Sequence, residues 1–373
     1  MTILTLMNCV HDYGRRALEG IARYGNAHGG WTLSLNHEEQ VRQAMPKMEP
    51  SVRGIVAHAY SKKLLTALTS CGVPVVNTSS VAADVHLPCV LTDNDAIGTM
   101  AAEYMISRGF RRLMALELAP WMHSVERAQA FRRVADRANV EVNTVAISSW
   151  KRAETTIRAA LEDAPTPLGC FAGSDGLAVL AVRQSLRLGL AIPEQIAVLG
   201  VDNDTLTTRM MVPTISSIEL PWEKLGFEAA SRLDQLIRGE PVESEPLRIA
   251  PTYVVTRQST SGTAIEDREV AEVLRYIREH ASQPLTVAAA IQHVPASRRA
   301  IEQRFKKAVG RTLQQHITAV RLELSKRFLA ETDYSMPEVA TRSGFAEPAY
   351  FSNVFRKHIG QTPGEFRQRH RLT

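Results

Sequence analysis

Apolar and polar positions alternate along this chain with two rhythms, and the change from one to the other comes late. In the first two-thirds, short apolar runs are separated by turns and amphipathic stretches. The runs "TILTLM", "WTLSL", "GIVAH", "VPVVN", "LMALEL", "LGCFAG", "IAVLGV" and "TISSIEL" read as strands. Between them, "GRRALEGIARYGNAHG" and "DAIGTMAAEYMISRG" have helical spacing. In the second, Ile97, Met100, Ala101, Tyr104 and Met105 share one face, and Gly109 stops the pattern. Strands alternating with helices of this length predict βαβ units and parallel sheets. The segment is too long for one small sheet. Two doubly wound lobes are therefore expected, with a ligand cleft at the carboxyl ends of their strands.

Near "TRQSTSGTAIEDR" the alternation gives way to a Ser/Thr/Gly-rich stretch without period, which reads as a linker. The expected organisation is a sensing domain over 1–257, a linker over 258–267 and a helical domain over 268–373. "LTVAAAIQ" predicts a short helix, "HVPA" a turn, and "SRRAIEQRFKKAVG" a helix capped by Ser297. Ile301, Phe305 and Val309 recur at i, i+4 and i+8 and face a core, which turns Arg298, Arg299, Glu302, Gln303 and Lys306 outward. A long helix follows, with Leu313, Ile317, Val320, Leu324 and Phe328 read as one stripe. Then "SMPEVATRSG" and "EPAYFSNVFRKHIG" repeat the short-helix, turn, helix scheme. Two helix-turn-helix units joined by one helix can read successive faces of a major groove. Pattern alone leaves open an all-helical domain that binds no DNA.

Charge sharpens this choice. The chain has a net charge of +5 over 373 residues. From Arg268 onward there are 18 Lys and Arg against 10 Asp and Glu, a net +8, so the preceding body is mildly acidic. A basic module on an acidic body points to a polyanion partner for the module. The four cysteines (Cys9, Cys71, Cys89, Cys170) are scattered, with no CxxC pair, as in a reduced cytoplasmic protein. The opening "MTILTLMNCVHDY" does not read as a signal peptide, and no run is long enough to cross a bilayer.

"GFAEPAYFSNVFRKHIGQTPGEFR" resembles the second helix-turn-helix of the AraC family of transcription regulators, and "IEQRFKKAVGRTLQQHI" resembles the end of its first. One departure stands out. The family's first turn carries Gly in "G-x-S", whereas here the position is Pro295 in "VPAS". Proline cannot take the positive φ that glycine would supply, so the first turn must have another shape. The resemblance implies DNA contacts from Ser297, Arg298, Arg299, Gln303 and Lys306 in the first unit. In the second it implies Ala349, Tyr350, Asn353, Arg356 and Lys357. Arginine suits guanine, whereas short or uncharged side chains suit thymine methyls and adenine.

The α/β body resembles the LacI/GalR and periplasmic sugar-binding fold, and the combination resembles the XylR subgroup. "LTDNDAIG", "SVERAQAFR", "SSWKRAE", "GSDGLAVLAV" and "GVDND" carry that likeness. The fold class this implies is a two-lobed periplasmic-binding-protein-like α/β domain with parallel doubly wound sheets. An all-α domain with two helix-turn-helix units follows it. The implied ligand-binding residues are Asp93, Arg127, Trp150, Asp175 and Asp202, together with Tyr13. Carboxylates and a guanidinium suit adjacent sugar hydroxyls, and a tryptophan face suits the sugar's C–H surface. Plainer roles remain open at this point: Asp175 and Asp202 as helix N-caps, Arg127 as a solvated helix residue, Trp150 as core.

The "DND" stretches at Asp93 and Asp202 are not calcium loops, because Ile97 or Leu206 and Tyr104 or Pro213 fall where ligands are needed. His11, His58 and His86 are too scattered to nominate as a metal site. GxxxxGK[ST], HExxH and GxSxG are absent, so no enzyme and no cofactor is expected. The reading is a cytoplasmic, homodimeric regulator, an activator controlled by xylose or a related pentose. Its expected partners are operator DNA and RNA polymerase, and a membrane is not among them. Ligand closure of the lobes would change how the paired DNA-binding modules are held. The alternative is a solute-binding receptor without DNA binding.

Overall fold

The computed structural model describes residues 1–35, 51–59, 61–80, 87–261 and 267–370. The chain begins with β1 (Thr2–Leu6), α1 (Asp12–His28), β2 (Thr32–Leu35), β3 (Val52–Ala57), α2 (Lys62–Thr69), β4 (Val75–Asn77) and β5 (Val90–Thr92). Next come α3 (Asn94–Ser107), β6 (Arg112–Leu118), α4 (Met122–Arg137), β7 (Glu141–Ile147), α5 (Trp150–Glu162), β8 (Leu168–Ala172), α6 (Asp175–Arg187) and β9 (Ile196–Val201). The α/β part ends with α7 (Thr205–Arg209), β10 (Ser216–Ile218), α8 (Trp222–Ile237), β11 (Leu247–Ile249) and β12 (Val254–Val255). The rest is helical: α9 (Arg268–His280), α10 (Val287–Ile291), α11 (Arg298–Val309), α12 (Leu313–Glu331), α13 (Met336–Arg342), α14 (Pro348–Ile359) and α15 (Pro363–His370).

Each of the eight apolar runs contains a strand. The strands not anticipated are β5, β7, β11 and β12. Of these, β7 is the instructive one. It lies at a sheet edge beside β6, so Glu141, Asn143 and Ala146 can be exposed while Val145 and Ile147 are buried. A half-solvated strand needs no continuous apolar run.

Two compact units emerge. The first comprises 1–96, 119–126 and 220–251; the second comprises 97–118, 127–219 and 252–373. In the first, β2-β1-β3-β4 form a parallel sheet, and β5 pairs with β11 in a second, two-stranded one. In the second, the order is β12-β10-β9-β8-β6-β7, parallel except where β12 meets β10. All three sheets are thus mainly the buried parallel kind that the pattern predicts, and two doubly wound lobes are what is found. Among the described residues no helix is long and apolar enough to cross a membrane.

Part of the expected linker is structured. Gln258–Thr260 form a 3-10 turn, with Ser259 and Thr260 fully buried. The Ser259 hydroxyl donates to Val198 O at 2.6 Å, tying the turn to β9. Its polar composition looks like a linker because the hydroxyls satisfy buried backbone rather than water. Residues 262–266 lie outside the described part, and Asp267 caps α9.

The helical module has two cores. One is built on Ile277, Ile301, Phe305 and Ile317, the other on Leu329, Phe345, Phe351, Phe355 and Phe366. The helix α12 serves both. Its first half packs Leu313, Ile317 and Val320 on the first core, and its second half packs Leu322, Phe328 and Leu329 on the second. The single stripe expected from the sequence is therefore wrong. The buried residues step round the helix to Leu322, Ser325 and Leu329 because the two cores sit at different angles on it.

Candidate ligand site and DNA-binding surface

In the second unit the carboxyl ends of β8 and β9 carry "GSD" and "GVDND", and the two turns are locked together. Asp175 is 3% exposed at the start of α6. Its Oδ1 accepts from the Ser217 hydroxyl at 2.6 Å and its Oδ2 from the Asp204 N–H at 2.8 Å. A Cβ on Gly200 would fall 2.2 Å from Asp175 Oδ1, so only glycine lets this carboxylate sit over the strand end. Beyond it, Asp202 and Asn203 both have positive φ, 104° and 50°. Non-glycine residues rarely adopt this conformation, and it persists only where the surroundings over-determine it.

The surroundings do so here. Asn203 N–H donates to Ser217 Oγ at 2.9 Å, and its amide donates to Glu219 at 2.5 Å. Arg257 donates to Asn203 Oδ1 at 2.6 Å and to Ile215 O at 2.9 Å. Neither Asp175 nor Asp202 is a helix cap; Ser174 caps α6 and Asp204 caps α7.

Electrostatics fits a strained acidic turn. Burial pushes the Asp202 carboxyl up to about 7, Arg127 opposes, and Asp204 and Glu219 add to the rise. Asp175 is also pushed up, first by burial and then by Asp202. Arg127 is 3% exposed on α4, not a solvated residue, and it donates to Gly173 O at 2.7 Å. Trp150 opens α5 and is 41% exposed, so it is not a core side chain. Its ring edge lies against Gly176, next to Asp175. The second unit thus gathers Arg127, Trp150, Asp175 and Asp202 around the ends of β8 and β9, the end at which open parallel sheets bind ligands.

Asp93 and Tyr13 belong to the first unit. Asp93 Oδ1 accepts from Ala96 N–H at 3.0 Å, capping α3. Tyr13, in the first turn of α1, lies among His11, His58 and Trp222, with ring centroids 5.8, 5.1 and 5.3 Å away. Trp222 is 6% exposed, and its Nε1 is buried without a hydrogen-bond partner among the described atoms. Burial pushes His58 down to about 4, so it is neutral near pH 7. Sequence reading missed Trp222 and His58, and in the second unit it missed Arg257, Ser217 and Asn203. Arg257 was hidden in the stretch read as the approach to the linker. Trp222 had no local signal beyond opening a helix.

In the helical module Ser297 caps α11, and Arg298, Arg299, Gln303 and Lys306 are exposed while Ile301, Phe305 and Val309 are buried. Arg298 pairs with Glu302 at 2.9 Å. On α14, Ala349, Tyr350, Asn353, Arg356 and Lys357 are exposed over Phe351 and Phe355. The second turn uses Gly344 at φ 86°, whereas the turn holding Pro295 contains no positive-φ residue. Among the described residues no group of His, Cys, Asp and Glu could hold a metal ion.

Two family models match the chain: a periplasmic binding protein-like domain over residues 102–260, and a helix-turn-helix domain over 289–369. The xylose operon regulatory protein of Haemophilus influenzae is 28% identical and aligns over 98% of this chain and 97% of its own length. A transcriptional regulator of Pseudomonas aeruginosa, GntR, is 30% identical over 62% of this chain and 68% of its own. The solved structure of a xylose-binding transcription activator, XylR, superposes with a TM-score of 0.61 at 26% identity. That match covers 98% of this chain and 97% of the other.

Proposed function

Because the chain belongs to the sugar-responsive transcription regulators that join a periplasmic-binding-protein-like domain to an AraC-type helix-turn-helix domain, we propose that its effector is a pentose, xylose first, and that it activates transcription. It works in the cytoplasm as a homodimer beside RNA polymerase. Asp202 is the acceptor for adjacent sugar hydroxyls, Arg127 a donor, and Trp150 a flat face for the sugar's C–H surface. Asp175 has both oxygens engaged by the protein, so its part is to hold the turn that aims Asp202.

The observation that carries this reading is the strained Asp202–Asn203 turn. Two consecutive positive-φ residues cost stability, and they are locked by Asp175, Ser217 and Arg257 at the carboxyl end of β9. Any effect of the sugar on DNA binding must come from different affinity for two arrangements of the chain. Outward Arg298, Arg299, Gln303 and Lys306, with Ala349, Tyr350, Asn353, Arg356 and Lys357, form the operator-facing surface, and Ser297 sets the start of the first recognition helix.

Calorimetric titration of pentoses and hexoses tests the effector. Xylose should bind saturably, and Asp202→Asn should weaken it by tenfold or more without lowering the melting temperature. The proton on Asp202 is retained up to about pH 7, so affinity should rise as pH increases through 7 and then level off. Asp202→Asn should flatten that profile. Equal binding by the variant would remove Asp202 from the site. A mobility shift on the gene's own upstream region, with and without xylose, tests the regulatory half.

A further inference from the structure

A second cluster of polar groups, away from Asp202, lies inside the second unit where its sheet domain meets the helical module. His316 is 6% exposed on α12, packed edge-on against Phe305 with ring centroids 5.6 Å apart. Its Nδ1 is buried without a hydrogen-bond partner among the described atoms. Arg108, just past the end of α3, is 9% exposed. Its guanidinium lies 4.3 Å over the Tyr104 ring and donates to Thr256 Oγ1 at 3.2 Å, while its Nε is buried and also lacks a partner. A buried polar atom left unpaired costs free energy, so two in one neighbourhood need an explanation.

The charges around them supply one. Burial, and after it the cations Arg311, Arg108 and Arg278, push His316 down to about 3. His316 is therefore neutral at pH 7, with one N–H to give. Arg278 is lowered to about 10, by burial first and then by Arg108. The carboxylates nearby are Glu279 beside Arg278, and Glu103 and Glu323 beside Arg311. Glu103 is itself pushed up, first by burial, against the pull of Lys326 and Arg311. Among the described residues Arg108 and Arg311 have no carboxylate within salt-bridge distance. A water molecule could satisfy the orphaned N–H groups, whereas an anion would satisfy them and also offset the positive charge that acts on His316.

We infer that Arg108, Arg278, Arg311 and His316 form a binding site for a small phosphate-bearing anion, either free phosphate or a phosphorylated sugar. Guanidinium forks match phosphate oxygens in pairs, and the His316 Nδ1–H supplies a further donor. Arg108 comes from the sheet domain, and Arg278, Arg311 and His316 from the helical module, so an occupant ties one to the other. The arginines differ from the DNA-facing ones, because Arg278 and Arg311 are half-buried and Arg108 is buried, whereas Arg298, Arg299 and Lys357 are exposed.

The test uses the full chain, titrated calorimetrically with inorganic phosphate and with ribose 5-phosphate, at constant ionic strength and with chloride as the control. Saturable binding of either ligand is expected. Arg311→Met should weaken it at least tenfold, as should His316→Asn, with unchanged melting temperatures showing that both variants fold. Asp202→Asn should leave it unchanged, which separates this site from the sugar site. A tenfold preference for ribose 5-phosphate identifies the phosphorylated sugar, and equal or tighter binding of phosphate identifies the free anion. Phosphate should also raise the His316 titration point seen by NMR. Binding no stronger than that of chloride, or undiminished in Arg311→Met, overturns the inference. So does weaker operator binding by Arg278→Met and Arg311→Met with phosphate affinity unaltered, because the arginines would then be clamps on DNA.

Discussion

The first helix-turn-helix, α10 and α11, and the second, α13 and α14, repeat one plan with different means. Both recognition helices end in a left-handed glycine, Gly310 and Gly360, each at φ 78°. Both bury three-to-four-spaced apolar residues on a core and turn charge outward. The turns differ. Gly344 has φ 86°, and a Cβ there would fall 2.0 Å from the Ala281 carbonyl oxygen, which Arg321 also binds at 3.0 Å. Pro295 instead lies exposed in a turn that asks for no special backbone. The caps differ too. In the second unit the opening helix has a reciprocal capping box, Ser335 with Glu338, while Thr286 caps its counterpart by one bond. A motif can thus keep its helix geometry while the turn is held by glycine in one copy and by packing in the other.

If the two cores are equivalent supports, Phe305→Ala and Phe355→Ala, both fully buried, should each cost about 3–5 kcal/mol in urea unfolding. A much smaller loss for one would show that its unit is held by something other than its core. The turns should respond unequally. Gly344→Ala should cost about 2–3 kcal/mol, from its φ and from the clash with Ala281, whereas Pro295→Ala should cost under about 1 kcal/mol. Comparable losses would mean that the first turn is as constrained as the second.

On DNA, Arg298→Ala should relax specificity at one or two base pairs by about 1–3 kcal/mol, and Lys357→Ala should weaken every sequence about equally. Competition with single-base operator variants reads this out, and uniform weakening by both would make Arg298 a backbone contact. The smallest effect concerns the Arg298–Glu302 pair, 65% and 43% exposed. Glu302→Gln should free the guanidinium and tighten operator binding by a few tenths of a kcal/mol, about the value of one exposed i,i+4 pair. A loss of affinity would show that the pair positions Arg298.

Residue pattern carried eight of the strands, the parallel α/β body, the paired helix-turn-helix units and the outward faces of their recognition helices. These are local matters, because an apolar run or a 3.6-residue stripe is decided by which face must leave water. The ligand candidates were legible where a short motif ends a strand, as in "GVDND". Pattern could not say that Asp93 caps a helix, that Asp175 has both oxygens engaged, or that Ser217 and Arg257 lock Asn203. Apart from the local Asp93 cap, those bonds join residues 14 to 54 positions apart, and nothing in either segment announces the other. The edge strand β7, the buried hydroxyls at Ser259 and Thr260, and the turn of α12 from one core to the next were decided the same way. Each residue's environment there is made by distant neighbours, and only packing brings those neighbours together.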